Sequence, residues 1–242
     1  MKGFLDLPYR LPFARHYKAF DAGFYVDFPE QLRLMGRWLR ESGCRRTLDV
    51  GAMTGGCIEH VSKLGIRMDG VQFTEDVKRL AAANLRRAGI RSTLHVVPVH
   101  AELRLPTRTR YDGIVSLGWF NLPFTRPQLR RRLDRIRGRL VPGGVFLFDF
   151  FEFRDVKVAP PETLSLGGGL HYASRSELRG RVLRRHHLWV DRTRGFARTE
   201  SSDLVDRPAS AVRRLLAESG FRVERTESLD LNYPREFWLA RT

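Results

Sequence analysis

Cysteine, lysine and long apolar runs are what this chain has little of. Its two cysteines, Cys44 and Cys57, are too few for a disulfide framework, and neither has Cys or His neighbours at metal-ligand spacing. A disulfide-stapled secreted scaffold and a zinc-finger type of fold are thereby excluded, no metal is expected, and a reducing cytoplasm is the expected location. No run of ~18 apolar residues occurs, so no membrane-spanning helix is expected. The segment from Met1 to Pro8 lacks the apolar stretch of a secretory signal. Zinc-finger spacing, heptads and aromatic RNA-binding signatures are missing too, as are internal repeats and low-complexity tracts.

The formal net charge is +16, and it comes almost entirely from arginine, because only five of the 43 basic residues are lysine. Such charge suits nucleic acid, an acidic partner or a phosphorylated substrate. It equally suits a GC-rich genome that encodes surface lysines as arginines. With 242 residues, 42% of them hydrophobic, the chain can build one large core with a smaller appended region.

The chain is organised around Arg45 to Gln72. A buried strand, Thr47 to Val50, leads into the turn Gly51-Ala52-Met53-Thr54-Gly55-Gly56. A helix over about Cys57 to Leu64 and a second strand ending at Val71 complete a βαβ unit. Gly51 lets the chain turn sharply after the strand. Gly55 and Gly56 carry no side chain where a ligand or the sheet comes close. The helix start offers free N–H groups and a partial positive charge to a polar or anionic ligand.

Alternation continues downstream. Thr74 caps a helix that stops at Gly89, and strands follow over Thr93 to Val99 and Tyr111 to Leu117. A helix over about Arg126 to Leu140 has Leu129, Leu133 and Ile136 on one side, with its arginines expected on the solvent side. Val145 to Phe150 is a strand buried on both faces. Apolar strands alternating with helices mean a parallel sheet covered on both sides. From Phe151 the pattern changes. Residues 154–170 read as a loop, and two paired strands, Arg181 to Val190 and Gly195 to Leu204, follow. A helix from Pro208 to Ser219, a strand opening at Phe221 and a last strand over Glu236 to Ala240 end the chain. Before the βαβ unit, residues 1–28 are aromatic-rich, and a helix starts at Phe28-Pro29-Glu30.

Four stretches in this order resemble class I S-adenosylmethionine-dependent methyltransferases: Leu48 to Gly56, Gly70 to Glu75, Tyr111 to Ser116 with Leu140 to Val145 after the helix, and Leu215 to Val223. The resemblance covers residues 30–150 and 205–242. It implies an α/β, Rossmann-like seven-stranded sheet with helices on both faces and a small inserted β-hairpin region. The expected domain layout is residues 1–43 as an N-terminal segment and helix, its aromatics forming either a lid on a pocket or ordinary core, and residues 44–242 as the methyltransferase-like domain, with 151–204 a variable substrate-side insertion. The implied cofactor is S-adenosylmethionine. The positions matching its site are Asp49, Gly51, Met53 and Gly55 at the turn, Gln72 and Phe73 at the end of strand two, Ala101 and Glu102 beside the adenine, and Ser116 near the methyl group.

Two of these depart from the family pattern. Met53 stands where many members have glycine. Gln72 stands where the family has the acid that accepts both ribose hydroxyls; a neutral carboxamide there is expected to weaken binding by about 1–2 kcal/mol unless Glu75 or Asp69 compensates. Both changes also suit a chain that kept the fold and lost the chemistry.

Methyl transfer needs alignment of the acceptor and exclusion of water more than a particular catalytic side chain. Trp119 and Asn121 follow strand four, where the acceptor is expected. Asn121-Leu122-Pro123-Phe124 is similar to the Asn/Asp-Pro-Pro-Tyr/Phe motif of amino-group methyltransferases, though shifted along the chain and short of one proline. His171 and Tyr172 lie in the variable region that builds the acceptor pocket in small-molecule members; His171 is the candidate base and Asn121 the second catalytic candidate. His186 and His187, adjacent on a strand, are expected on opposite faces. A small-molecule acceptor methylated at O or N, of the secondary-metabolite tailoring type, is the leading expectation. The alternatives are a methyltransferase-fold protein with another role, and an RNA methyltransferase whose RNA surface would be the hairpin arginines from Arg175 to Arg198.

Overall fold

In the computed structural model, residues 28–99, 101, 103–104, 108–153, 161–230 and 234–242 are described. Glu102, the aromatic segment before Phe28, and residues 154–160 lie outside them.

A seven-stranded sheet forms the centre. Its strands are β1 (Arg46–Val50), β2 (Arg67–Gln72), β3 (Leu94–Val96), β4 (Tyr111–Ser116), β5 (Leu140–Phe150), β10 (Arg222–Asp230) and β11 (Pro234–Arg241), in the order β10-β11-β5-β4-β1-β2-β3. The first five run parallel, and β11 is antiparallel to both β5 and β10. Among the described residues five helices accompany them: α1 (Phe28–Glu41), α2 (Gly56–Lys63), α3 (Glu75–Arg87), α4 (Arg126–Arg137) and α5 (Ala209–Glu218).

The period-2 alternation of β5 explains the layering. Phe146, Phe148 and Phe150 pack with Leu129, Leu133 and Ile136 of α4 and Val212, Leu215 and Leu216 of α5. Val145 and Leu147, on the opposite face, pack with Met35, Trp38 and Leu39 of α1 and Ile58 and Val61 of α2. A strand sandwiched this way has no solvent face at its centre, and the polar side chain it carries, Asp149, is buried.

Local signals set the helix starts. Thr74 accepts the Val77 N–H and caps α3. Thr125 and Gln128 form a reciprocal capping box at α4. The arginines of α4 are not all on its solvent face, however. Arg132 is buried, its guanidinium 4.0 Å from the centre of the Phe124 ring.

The region after β5 is larger than the expected hairpin. β8 (Val182–Asp191) and β9 (Phe196–Val205) pair as expected, and β6 (Glu162–Gly167) and β7 (Leu170–Arg179) extend them into a four-stranded antiparallel sheet. Residues 162–170 are therefore not loop. The run Gly167-Gly168-Gly169 has φ of 85°, 60° and 79° and makes the β6–β7 turn, a backbone path costly for other residues. One face of this sheet carries Leu164, Leu170, Tyr172, Trp189 and Phe196 as a small core. At its other end Leu183 and Leu204 pack against Phe151 and Phe153, which follow β5.

Candidate functional site

The carboxyl ends of β1, β2 and β4 converge at the glycine turn. Gly51 has φ 97° and donates to the Val71 carbonyl at 3.0 Å, as does Ala52. A side chain at Gly51 would come within 3.2 Å of the Phe73 ring, so Phe73 closes directly over the turn. Met53 has φ 42°, a left-handed conformation that glycine adopts more easily. Asn84 of α3 donates to the Thr54 carbonyl at 3.0 Å and fixes the turn from the side. Gly55 precedes α2 with no side-chain cap on the helix start, whose N–H dipoles point back over the turn.

Two buried polar side chains border this turn. Asp49 is buried, and burial pushes its carboxyl up to about 7, offset in part by a hydrogen bond with Cys57. Gln72 is 0% exposed, and neither its amide oxygen nor its nitrogen has a partner. A buried amide left unsatisfied costs about 1–3 kcal/mol. The residues expected to compensate for Gln72 do not. Asp69 lies at the other end of β2, bonded to Arg46 at 3.1 Å, to the Thr93 N–H at 3.1 Å and to the Tyr111 hydroxyl at 3.3 Å. Glu75 is exposed and pairs with Lys78.

Ser116, at the end of β4, donates to the Val50 carbonyl at 3.1 Å and ties the two strand ends together. Ala101 is half-buried, and its carbonyl accepts from Arg132 at 2.5 Å; the same guanidinium also holds the Val99 carbonyl at 2.7 Å. Arg132 thus anchors from α4 the segment that the resemblance places beside the adenine. The helical spacing of the arginine run gave no sign of it, since a buried arginine and an exposed one look alike in sequence.

The loop after β4 is held by buried polar groups. The Asn121 amide nitrogen donates to the Phe151 carbonyl at 2.8 Å and the Val205 carbonyl at 3.0 Å, and its oxygen accepts the Phe151 N–H at 3.0 Å. Three of the four hydrogen-bonding positions of Asn121 are engaged in stapling the loop to the segments that follow β5 and end β9. Arg207 binds the carbonyls of Phe120, Leu122 and Phe124. Asp149 accepts the Gly118 N–H at 2.5 Å and pairs with buried Arg235 at 2.5 Å. Trp119 is buried against Phe120 and Phe124 as part of the core.

His171 and Tyr172 do not share a loop. Both lie on β7 and, as neighbours on a strand, point to opposite faces. Tyr172 is on the face that holds the small core. Its hydroxyl lies 2.7 Å from His187 Nδ1, and His187 Nε2 lies 2.9 Å from the Ser202 hydroxyl. Burial, aided by Arg185 and His186, pushes His187 down to about 3, so it is neutral. His171 is on the other face, away from Phe151 and Phe153. His186 shares that face and contacts Glu177 at 3.0 Å.

This seven-stranded sheet, with its reversed strand β11 next to the edge and a glycine turn after β1, is the fold of solved S-adenosylmethionine-dependent methyltransferases. A methyltransferase of that type from Clostridium acetobutylicum superposes with a TM-score of 0.78 over 94% of this chain and 97% of its own, at 14% identity. The sugar N-methyltransferase KedS8 from a Streptoalloteichus species matches with a TM-score of 0.76 over 100% of this chain and 96% of its own, at 22% identity. CalS10 from Micromonospora echinaspora, an amino pentose methyltransferase whose structure contains bound S-adenosylmethionine, matches at 0.71 over 93% and 95%, at 20% identity. No protein-family model matches the sequence, and no curated protein does.

Proposed function

We propose that the chain is an S-adenosylmethionine-dependent methyltransferase acting on an O or N atom of a small molecule, in cytoplasmic tailoring of secondary metabolites. The observation that carries the reading is Gln72. A fully buried carboxamide with both polar atoms unpartnered, at the position where the family binds the ribose, fits a vicinal diol: the oxygen accepts from one hydroxyl and the nitrogen donates to the other. The Gly51–Gly55 turn and the uncapped start of α2 would hold the methionine part, with Asp49 beside it. The bound cofactor supplies a sulfonium methyl group. The chain would have to hold the acceptor O or N with its lone pair in line with that methyl group, and the acceptor's proton would pass to solvent or to a base as transfer completes.

The chain's own contribution is placement and dryness. Asn121, Arg207 and Asp149 rigidify the loop after β4, and Ser116 locks the strand ends beneath it. Among neighbours of like fold, the sugar N-methyltransferase and the amino pentose methyltransferase support an amine of an amino sugar as acceptor class. The second reading, a methyltransferase fold without methyl transfer, draws on Met53 and Gln72.

Calorimetric titration with S-adenosylmethionine and S-adenosylhomocysteine separates the two. We expect binding near the micromolar range, weakened about tenfold in Gln72→Leu, which forfeits hydrogen bonds worth about 1.4 kcal/mol. A folded protein that binds neither compound overturns the methyltransferase reading.

A further inference from the structure

The amino-terminal edge of the central sheet, opposite the glycine turn, collects arginines from almost every strand. Arg46 and Arg67 are direct register partners on β1 and β2, and the Arg67 N–H donates to the Arg45 carbonyl at 2.9 Å. Arg91 leads into β3, on the far side of β2. On the other side of β1, Arg110 precedes Tyr111, whose N–H donates to the Arg139 carbonyl at 2.8 Å, so β4 and β5 bring these two together. Arg222 and Arg241 are register partners on β10 and β11, level with Val145 of β5. The register sets them within about three residues, roughly 10 Å, of one height. Six strand-to-strand steps of about 4.8 Å make the row about 29 Å long.

The charge of this row is only partly offset. The carboxylates at the same level are Asp69, Asp112 and Glu224. Asp69 is shared by Arg46 and Arg67, and Glu224 by Arg222 and Arg241. Asp112 accepts the backbone N–H groups of Arg45 and Arg46. Among the described residues, Arg45, Arg91, Arg110 and Arg139 have no ion pair, and the first three of these are exposed. The second sheet behaves differently. Arg184 is bidentate to Asp203, and Arg179, Arg181 and Arg194 pair with Glu177, Asp206 and Asp191. Its basic surface is largely neutralised from within.

We infer that this edge binds a linear chain of phosphates. Guanidinium groups take phosphate oxygens in bidentate geometry, and a row of them along the twisted edge of a sheet suits an extended polyanion better than a compact one. Inorganic polyphosphate and the backbone of single-stranded RNA share this chemistry. The row lies about 17 Å from the turn, the length of β1 at about 3.3 Å per residue, so the ligand is separate from the methyl-transfer site.

The test is fluorescence anisotropy of a labelled 12-mer oligouridylate, with long-chain inorganic polyphosphate as competitor, on the full chain and two variants of equal charge. The edge variant carries Arg45→Gln, Arg67→Gln, Arg91→Gln and Arg110→Gln. The control carries Arg175→Gln, Arg179→Gln, Arg192→Gln and Arg194→Gln. All eight positions are exposed. Circular dichroism and S-adenosylhomocysteine titration check that both fold. We expect the edge variant to lose affinity at least tenfold and its log–log salt slope to flatten by about 3, while the control changes little. Binding of RNA with displacement by polyphosphate supports the shared chemistry; tight binding of only one identifies its source. Equal losses in the two variants would show net charge acting without a site and overturn the proposal, as would no binding at 50 mM salt.

Discussion

Asp69 and Gln72 are both on β2, both buried and three residues apart, yet they meet opposite fates. Asp69, 1% exposed at the amino end, is saturated by Arg46, Tyr111 and the Thr93 N–H. Gln72, 0% exposed at the carboxyl end, has nothing. A parallel sheet is polar in this sense. Its amino ends receive chains arriving from helices, and here those chains bring arginines that close on the buried acid. Its carboxyl ends open into turns and helix starts, whose free N–H groups and unfilled polar atoms wait for a ligand. On β2 the buried acid with its partners present is structural, and the buried amide without them is where the proposed cofactor site lies.

The contrast is sharpest in stability. Asp69→Ala would strand the Tyr111 hydroxyl and the Thr93 N–H and leave Arg46 unpaired, and we expect a loss of about 2–4 kcal/mol in urea unfolding. Loss no larger than that of an ordinary surface substitution would break the distinction.

Asp49→Asn runs the other way. Its carboxyl sits near 7 in the folded chain, above its ordinary 3.8. The folded state therefore holds the proton more tightly than the unfolded one. The stability this gives is complete below about pH 4 and lost as pH rises to about 7. At pH 8 we expect Asp49→Asn to stabilise the free protein by about 2–4 kcal/mol and to flatten this pH slope, while weakening S-adenosylmethionine binding. A destabilised variant with unchanged affinity would make Asp49 a structural acid like Asp69.

Met53→Gly is the smallest of these changes. Relief of a left-handed methionine is expected to raise stability by up to about 1 kcal/mol, read as a higher melting temperature. A lower melting temperature would mean that the Met53 side chain contributes packing beyond its backbone cost.

Much of the fold was legible before any coordinates. Alternating apolar strands and helices, the Thr74 cap and the glycine turn follow from short-range chemistry, and the structure has them where the pattern put them. The second sheet was half legible. The β8–β9 pair alternates over a long run, whereas β6 is short and is joined to β7 through three glycines that read equally as loop.

The candidate site was legible as backbone and illegible as side chains. Gly51 and Gly55 fall in the turn and Gln72 at the strand end beside it, because positions along the chain fix the backbone path. His171 and Tyr172 were placed together because they are adjacent, but a strand sends neighbours to opposite faces. Asn121 sat in the right loop, and only its three bonds to Phe151 and Val205 show that it is a staple. Arg132 and Arg235 were invisible among the other arginines.

By itself the sequence determined the parallel α/β class, the order of its elements and the conformation of the first crossover turn, because these depend on periodicity and on local backbone preferences. Only the tertiary structure decided which polar groups are satisfied, and which arginines are buried, paired or gathered at one edge. Those properties depend on neighbours that strand register brings together from distant parts of the chain.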